Sequence, residues 1–260
     1  MEFESELEGH IFALHRALKN KTYRHGSYTD FYITDPKRRH VHKASVLDRV
    51  LHHAVVQVLT EVFEPTFIAR SFSCRIGKGT HKGVVAARQM IRVVSKNNTH
   101  SCFVLKCDVQ QFFATVDHEV LLLLLSKQIS DSHVLWLLAE IIDSFRSDTT
   151  TRCGLPIGNL TSQLFANVYM NAFDQNMKNE LQAKHYARYT DDFIVVSDDW
   201  LYVQQIIPNI RAFLVQSLKL ALHPDKVSLV KVGRGVDFLG AVLCSFRIMC
   251  SCDEKHNREL

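Results

Sequence analysis

The amino-acid sequence predicts an α+β fold in which helices pack on an antiparallel sheet. Short apolar, β-branched runs such as Phe103–Val109 and Phe193–Val196 are bounded by turn residues and are typical of buried strands. Longer segments, for example 45–63 and 160–178, repeat apolar residues at helical spacing instead. The composition agrees, since 47% hydrophobic and 22% charged residues are globular values, and 260 residues suffice for one large or two small domains.

Charge is distributed unevenly along the chain. Residues 1–100 hold 16 Lys+Arg against 9 Asp+Glu, whereas residues 101–260 hold 15 against 18. A basic part and an acidic part indicate one surface for a polyanion and another for metal, while chance surface composition explains the same asymmetry. The seven cysteines show no disulfide-like spacing, and neither a signal peptide nor a long apolar run is present. We therefore expect a cytoplasmic protein with reduced thiols and no membrane segment.

The first hundred residues predict a helix over 1–20, a strand–turn–strand unit from Phe31 to Val41, and a second helix over 45–63. Pro36 is expected to end the first strand. A spacing of four supports the second helix and is carried by Val46, Val50, Ala54, Val58 and Val62.

A glycine-rich basic loop follows at 71–83 and leads into a helix over 84–94. Three glycines alternate with basic residues in the run Arg75-Ile-Gly-Lys-Gly-Thr-His-Lys-Gly83. The loop does not match the phosphate-loop pattern, because Gly79 separates Lys78 from Thr80. Close backbone approach to a polyphosphate or to a nucleic-acid backbone is physically reasonable here.

Three aspartates give the strongest chemical signal. Asp108 ends one strand, and the adjacent Asp191 and Asp192 lie at the tip of a predicted hairpin. Adjacent carboxylates repel each other unless a cation lies between them, and oxygen ligands favour Mg²⁺ or Mn²⁺. A solvated Asp-Asp turn explains the pair when it is considered alone. Three carboxylates at neighbouring strand ends are what two-metal nucleotidyl transfer requires.

The second half of the chain alternates helices with hairpins. Residues 119–145 are predicted to be mostly helical, and a turn at Gly154–Asn159 opens the helix over 160–178. Another helix is predicted over 200–220, with a break or kink at Pro208. A strand at 227–232 and a second hairpin ending at Gly240 follow.

In this order and spacing, the blocks resemble reverse transcriptases from about Tyr28 to Gly240. The matching blocks are Phe31–Arg49, Arg75–His81, the strand ending at Asp108, Gly154–Asn167, Tyr189–Asp192, His223–Lys226 and Phe238–Gly240. Finer details, such as Leu155-Pro-Ile-Gly-Asn-Leu-Thr-Ser-Gln163, are similar to the diversity-generating retroelement group. Prokaryotic reverse transcriptases of antiviral or unassigned role share parts of this pattern.

The resemblance implies a right-hand polymerase fold, with a palm of antiparallel sheet and packed helices, plus fingers, and with the thumb largely absent. The fingers would comprise residues 1–102 with 119–150, and the palm 103–118 and 151–243. Residues 244–260 would form a short tail in place of the thumb. A minimal chain, a truncated sequence and a small basic accessory protein that supplies this surface are alternatives. A zinc site at Cys244, Cys250, Cys252 and His256 is disfavoured, because the spacing matches no standard knuckle.

The resemblance also implies a role for each site residue. Two Mg²⁺ or Mn²⁺ ions would be held by Asp108, Asp191, Asp192 and the Val109 carbonyl, with Lys226 as proton donor to pyrophosphate. The incoming dNTP would contact Lys37, Arg39, Val109, Phe113, Ile157 and Gly158. The RNA template and the DNA or RNA primer would contact Arg75, Lys78, Phe238, Leu239 and Gly240. Phe113 would exclude a ribose 2′-hydroxyl sterically, and Ile157 stands at a position associated in that group with error-prone copying of template adenine.

The expected function is therefore RNA-directed DNA synthesis in a prokaryotic or phage setting, by the error-prone enzyme of a diversity-generating retroelement. A nucleic-acid-binding scaffold that has lost catalysis and a small-molecule nucleotidyltransferase or cyclase are the alternatives. The intact aspartates and Phe113 argue against the scaffold. The basic loop around Lys78 is unnecessary for a cyclase.

Overall fold

The structure is a computed structural model of the 260-residue chain. It describes residues 7–34, 38–148 and 150–244, together with the backbone of Ile248–Cys250. Two compact units are present. Unit 1 comprises Met1–Thr66 and Phe113–Tyr169, and unit 2 comprises Phe67–Phe112 and Met170–Leu260. Neither unit is a continuous stretch of sequence, because the chain passes from one to the other three times.

Both helices and strands occur along the described chain, as the sequence predicts. In order, the elements are α1 (Leu7–Lys19), β1 (Thr29–Ile33), β2 (Arg39–Lys43), α2 (Val46–Phe63), α3 (Thr80–Val94), β3 (Phe103–Asp108), α4 (Phe112–Thr115), α5 (His118–Ser126), α6 (Ser132–Asp143), α7 (Leu160–Asn179), β4 (Tyr186–Tyr189), β5 (Asp192–Ser197), α8 (Trp200–Leu218), β6 (Ser228–Lys231), β7 (Val236–Phe238), β8 (Ala241–Leu243) and β9 (Ile248–Cys250). The pairings between these named strands are antiparallel. The predicted α+β fold class is confirmed.

Unit 1 packs helices around a small apolar centre and also contains the β1–β2 hairpin. Leu14 of α1, Tyr23 and Leu51 of α2 are buried together there. Helices α5 and α6 pack against each other, and Leu121 and Leu138 are fully buried. The predicted turn residues between β1 and β2, 35–37, lie outside the described part of the chain.

The valine stripe that predicts α2 is not the buried side of this helix. Between 37% and 64% of the residue surface is exposed at Val46, Val50, Val58 and Val62. The buried residues are instead Asp48, Leu51, His52, Leu59 and Phe63. The predicted helix is therefore confirmed, and its valine stripe is not the side that packs into the protein. The physical reason is that hydroxyl groups of Tyr23 and Ser45 and the backbone N–H of Gly26 bind the Asp48 carboxylate and turn that side inward.

Unit 2 is built on a four-stranded sheet with the order β4–β5–β3–β6. The central strand β3 pairs with β5 from Phe103 opposite Ser197 to Asp108 opposite Asp192. Helix α3 packs against β4 and β5, and α8 packs against β3 and β5. Because side chains alternate between the faces of a strand, Lys106 and Asp108 of β3 share one face of the sheet.

Helix α8 continues through Pro208, so the break predicted there is absent from this described segment. Its buried side is formed by Val203, Ile206, Ile210, Leu214 and Leu218. The Pro208 ring is exposed. The missing N–H therefore costs a backbone hydrogen bond on the solvent side of the helix and leaves the packed side intact.

The second predicted hairpin is present as β7 and β8, which form a three-stranded sheet with β9. Leu239 and Gly240 make the turn, with positive φ angles of 55° and 79°. Of the disfavoured zinc set, Cys250, Cys252 and His256 lie outside the residues whose side chains are described. No helix within the described ranges is long and apolar enough to cross a membrane.

Candidate active site

Strand β3 and the β4–β5 hairpin place two predicted site aspartates directly opposite each other. Asp108 is the last residue of β3 and pairs in register with Asp192, the first residue of β5. Side chains of such opposed residues lie on the same face, with Cβ atoms about 5 Å apart. Asp191 lies in the turn before β5, and its carbonyl accepts a hydrogen bond from the Val109 N–H at 3.1 Å. All three aspartates and Val109 thus lie at the same end of the two central strands of the unit 2 sheet.

The electrostatic environment makes Asp192 difficult to ionise. Burial raises the pKa of Asp192 to about 7, the Lys106 ammonium opposes this effect, and the charges of Asp108 and Asp191 add to it. The Oδ1 atom of Asp192 is buried and has no hydrogen-bond partner among the described residues. A carboxylate oxygen that is buried without a hydrogen-bond partner is stabilised by a cation.

Two ammonium groups lie beside these carboxylates. Lys226 Nζ donates a hydrogen bond to Asp108 Oδ2 at 3.0 Å. Lys106 Nζ lies 3.8 Å from Asp192 Oδ2 and 4.0 Å from Asp237 Oδ2. The sequence reasoning missed Lys106, although its position two residues before Asp108 on a strand puts both side chains on one face.

The donor set fits a divalent cation by its chemistry. Asp108, Asp191, Asp192 and the Val109 carbonyl supply only oxygen atoms, which are the ligands that Mg²⁺ and Mn²⁺ prefer. The unpartnered Asp192 oxygen is the structural feature that such an ion would satisfy. In the described part of the chain, no three His, Cys, Asp or Glu side chains form a ready-made metal-binding group. The ammonium groups of the two lysines lie next to the carboxylates instead.

A buried arginine supports the hairpin between β4 and β5. Arg188 is fully buried and forms a bidentate ion pair with Asp174 of α7, with Nε–Oδ1 at 2.7 Å and Nη2–Oδ2 at 2.6 Å. The Tyr186 hydroxyl donates to the same Asp174 Oδ1 at 2.7 Å. Arg188 Nη1 donates to the Thr190 carbonyl at 3.0 Å, and Nη2 donates to Ser71 Oγ at 3.1 Å. The guanidinium therefore connects a helix, a strand and the turn.

Thr190, the residue before the two aspartates, has a left-handed backbone conformation with a φ of 55°. For a β-branched residue this conformation is an outlier that costs about 1–3 kcal/mol and persists only where the surroundings impose it. Its hydroxyl donates to Ser73 Oγ at 2.6 Å, and its carbonyl accepts from Arg188. No local sequence pattern signals the contacts among Arg188, Asp174 and this turn, since Asp174 lies on a helix that precedes β4.

The two predicted template residues donate hydrogen bonds to nearby backbone carbonyls. Arg75 Nη1 donates to the carbonyls of Ile68 at 2.7 Å and Ser71 at 2.9 Å. Lys78 Nζ donates to the carbonyl of Ala69 at 2.7 Å. A template phosphate would have to compete with these intramolecular hydrogen bonds, and the template role of both residues stays a prediction.

The predicted primer-support block, Phe238–Gly240, has its first residue in the hydrophobic core and the other two in a turn. Phe238 is fully buried in the hydrophobic core of unit 2. Its ring therefore supports the turn from inside and does not present a surface to a ligand. Leu239 and Gly240 form the β7–β8 turn itself, and the primer role of the block stays a prediction.

Unit 1 holds Arg39, Phe113, Ile157 and Gly158 of the predicted nucleotide-contact set, and backbone hydrogen bonds join the segments around three of them. The Phe113 carbonyl accepts from the Leu155 N–H at 2.7 Å. The Ile157 carbonyl accepts from the His42 N–H of β2 at 2.9 Å. The segment leading to Gly158 is therefore bound both to the start of α4 and to β2.

Gly158 is confined to glycine by its surroundings. Its φ is 106°, and a Cβ atom built there would lie 2.6 Å from Val41 Cγ1. The neighbouring Asn159 amide donates to the backbone of β2, which fixes this close approach. Arg39 is exposed at the start of β2, and the predicted triphosphate ligand Lys37 lies outside the described residues. The position of this set relative to the aspartates stays a prediction.

Comparison with known proteins finds similarity over most of the chain. Residues 33–243 match the family model described as reverse transcriptase (RNA-dependent DNA polymerase). Protein YkfC of Escherichia coli K12 is 26% identical over 229 residues, covering 74% of this chain and 60% of YkfC. An uncharacterized 91 kDa protein in a cob intron of Schizosaccharomyces pombe is 24% identical over 147 residues, covering 53% of this chain and 17% of that protein. The chain thus spans 60% or less of the length of these two relatives.

Solved structures share the fold. Telomerase from Candida albicans in complex with a fragment of telomeric RNA has a TM-score of 0.65 at 13% identity, covering 88% of this chain and 46% of that one. An apo telomerase from Candida tropicalis, truncated from its C-terminal domain, has a TM-score of 0.65 at 11% identity, covering 86% and 54%. At these identities the likeness concerns the fold, and it agrees with the predicted antiparallel sheet and packed helices.

Proposed function

Because this chain belongs to the reverse transcriptase (RNA-dependent DNA polymerase) family, we propose that it is an RNA-directed DNA polymerase that acts by two-metal nucleotidyl transfer. The observation that carries the proposal is the pairing of Asp108 with Asp192 beside the Asp191 turn, with one Asp192 oxygen buried and unpartnered among the described residues. A binding module has no need of opposed, partly buried carboxylates, whose mutual repulsion destabilises the fold.

The residues proposed to hold two Mg²⁺ or Mn²⁺ ions are Asp108, Asp191, Asp192 and the Val109 carbonyl. When bound, such ions activate a 3′-hydroxyl and stabilise charge on the triphosphate. The contribution of the chain is to fix these oxygens on two paired strands. Lys226, whose ammonium already lies 3.0 Å from Asp108, is the proposed proton donor to the pyrophosphate leaving group.

The proposed substrates are an RNA template, a DNA or RNA primer and dNTPs. A polyanionic partner is supported by the stretch 65–107, which holds eight Lys+Arg and no Asp or Glu. Phe113 is proposed to exclude the ribose 2′-hydroxyl, Arg39 to contact the triphosphate, and Ile157 with Gly158 to contact the nascent base pair. The proposed functional division remains fingers at 1–102 with 119–150, and palm at 103–118 with 151–243.

Primer extension tests the proposal. Purified protein with template–primer, dNTPs and Mg²⁺ or Mn²⁺ should extend the primer, and Asp191→Ala should reduce the rate by about a hundredfold or more, because a ligand of the proposed ions is lost. Asp199→Ala is the matched control, since Asp199 caps α8 by accepting from the Tyr202 N–H and belongs to no proposed site. Extension that survives Asp191→Ala would contradict the metal assignment. Tight RNA binding without incorporation would favour the scaffold alternative.

The narrower proposal is the error-prone enzyme of a diversity-generating retroelement. It rests on the block Leu155–Gln163, in which Ile157 cannot make the hydrogen bonds of a glutamine. An antiviral or unassigned prokaryotic reverse transcriptase, with no mutagenic task, is the alternative. Sequencing the cDNA should show errors concentrated at template adenine. Errors spread equally over the four template bases would contradict the mutagenic role.

A further inference from the structure

We infer that the buried Arg188–Asp174 pair is a positioning device for the turn that carries Asp191 and Asp192. The inference deepens the proposed function and rests on it. Its first support is burial, because both side chains are 0% exposed and the guanidinium has no access to water. A buried guanidinium has to place its N–H groups on protein acceptors. The position of the guanidinium therefore determines the positions of the acceptors that it binds.

The second support is the reach of the guanidinium. Two of its hydrogen bonds bind Asp174, and a third, from Nη1, binds the Thr190 carbonyl at 3.0 Å. That carbonyl belongs to the peptide bond that leads directly into Asp191. The planar fork of arginine holds these donors at fixed angles, so the position of Asp174 on α7 determines where the turn lies.

The third support is that the same turn is held from the adjoining segment. The Phe72 N–H donates to the Arg188 carbonyl at 2.9 Å, and the Arg188 N–H donates to the Arg70 carbonyl at 3.0 Å. The Thr190 hydroxyl donates to Ser73 Oγ at 2.6 Å. A left-handed threonine needs such contacts to persist. Of these contacts, only the guanidinium bond reaches the turn from the buried ion pair.

Tyr186 provides a matched control within the same network. Its hydroxyl donates to Asp174 Oδ1 and makes no hydrogen bond to the turn among the described residues, and Tyr186 lies two residues before Arg188 on the same strand. Removing that hydroxyl weakens the support of Asp174 by one hydrogen bond. The bond from Arg188 to Thr190 is kept.

The experiment measures Mn²⁺ binding by electron paramagnetic resonance and the metal dependence of primer extension on the full chain. Arg188→Lys keeps the charge but loses the fork. It should raise the half-saturating Mn²⁺ concentration about tenfold, as expected when a charge-assisted hydrogen bond to the turn is lost. The extension rate at saturating metal should largely recover. Tyr186→Phe should lower the melting temperature and leave the Mn²⁺ affinity within about twofold of wild type.

A double variant covers the case in which Arg188→Lys does not fold. Replacing Arg188 by Met and Asp174 by Leu removes both charges at similar volume, an exchange that folded proteins often tolerate. It should fold and bind Mn²⁺ as weakly as Arg188→Lys. Wild-type affinity in either variant, or an equal loss in Tyr186→Phe, would show a merely structural pair and overturn the inference.

The two proposals fail in distinguishable ways. Wild-type protein that binds Mn²⁺ but does not extend a primer contradicts the polymerase function while the positioning inference is still decided by the variants. Wild-type protein that extends a primer with variants of unchanged metal affinity overturns only the positioning role. Wild-type protein that binds no Mn²⁺ at millimolar concentration overturns both.

Discussion

Two Arg–Asp pairs in this molecule have the same shortest distance and opposite surroundings. Arg188 Nη2 lies 2.6 Å from Asp174 Oδ2 in unit 2, and Arg152 Nη2 lies 2.6 Å from Asp143 Oδ2 in unit 1. The first pair is 0% exposed, whereas Arg152 and Asp143 are 44% and 31% exposed. Exposed ion pairs contribute little to stability, because water and salt screen them. Breaking a buried pair leaves an uncompensated charge. Burial therefore decides what each pair does, and distance does not.

The largest expected effect is on the buried pair. Asp174→Ala should lower the free energy of unfolding by about 3–5 kcal/mol, because Arg188 is left with a buried, unpaired charge. Urea denaturation measures this change. Asp199→Ala, which removes only the cap of α8, should cost about 0.5–2 kcal/mol. A loss for Asp174→Ala no larger than that of the control would show that water compensates the guanidinium.

A smaller loss is expected for the carboxylate of the exposed pair. Asp143→Ala should cost about 1–3 kcal/mol, because Asp143 Oδ1 also lies 3.1 Å from Nδ1 of the fully buried His118, which is then left unsatisfied. Chemical denaturation of the same chain gives the number. A cost as large as that of Asp174→Ala would remove the contrast between the two pairs.

The guanidinium of the exposed pair should matter less still. Arg152→Ala is expected to cost about 0–1 kcal/mol, and any cost should shrink in added salt. The comparison is sharpened by measuring the salt dependence of stability for variants of both arginines in parallel. Salt should leave the stability difference between wild type and Arg188→Met nearly unchanged, since the buried pair is not screened. A strong salt effect at Arg188 would contradict its burial.

The exposed pair should also respond to pH in the acid range. Burial alone would raise the pKa of Asp143, but hydrogen bonds from Arg152 and His118 outweigh it and hold the pKa below its usual value. A lowered folded-state pKa means that this stabilisation is present above the unfolded pKa of about 4 and is lost as pH falls through the folded value. The stability difference between wild type and Asp143→Asn should therefore narrow on acidification below about pH 4. A difference that is constant with pH would show that Asp143 is not stabilised as a carboxylate.

Periodicity predicted where helices and strands lie, but it did not predict which face of α2 is buried. Valines at a spacing of four are compatible with either an inward or an outward face. The deciding interaction is the bond of the Tyr23 hydroxyl to Asp48 at 2.7 Å, which joins residues far apart in sequence. Pro208 shows the same dependence on context, since a proline on the solvent side of a packed helix interrupts little.

The residues of the candidate site likewise fall into those that local sequence patterns predict and those that depend on contacts distant in sequence. Asp108, Asp191 and Asp192 were predictable because strand ends and an Asp-Asp turn are local patterns. Lys106 and the Arg188–Asp174 pair were not, because their importance comes from strand register and from a helix that lies elsewhere in the sequence. Arg75 and Lys78 illustrate the converse, as their charges suggest an external partner while their donors bind loop carbonyls.

The interleaving of the two units sets the order in which the carboxylate site can be assembled during translation. The strand that ends at Asp108 leaves the ribosome before residues 113–169, which belong to unit 1, and only afterwards does the hairpin with Asp192 follow. Pairing between segments so distant in sequence is slow, because a long loop has to close first. A nascent chain paused before the hairpin has no opposed carboxylates. Completion of this site therefore has to wait until the hairpin that carries Asp192 has been synthesised.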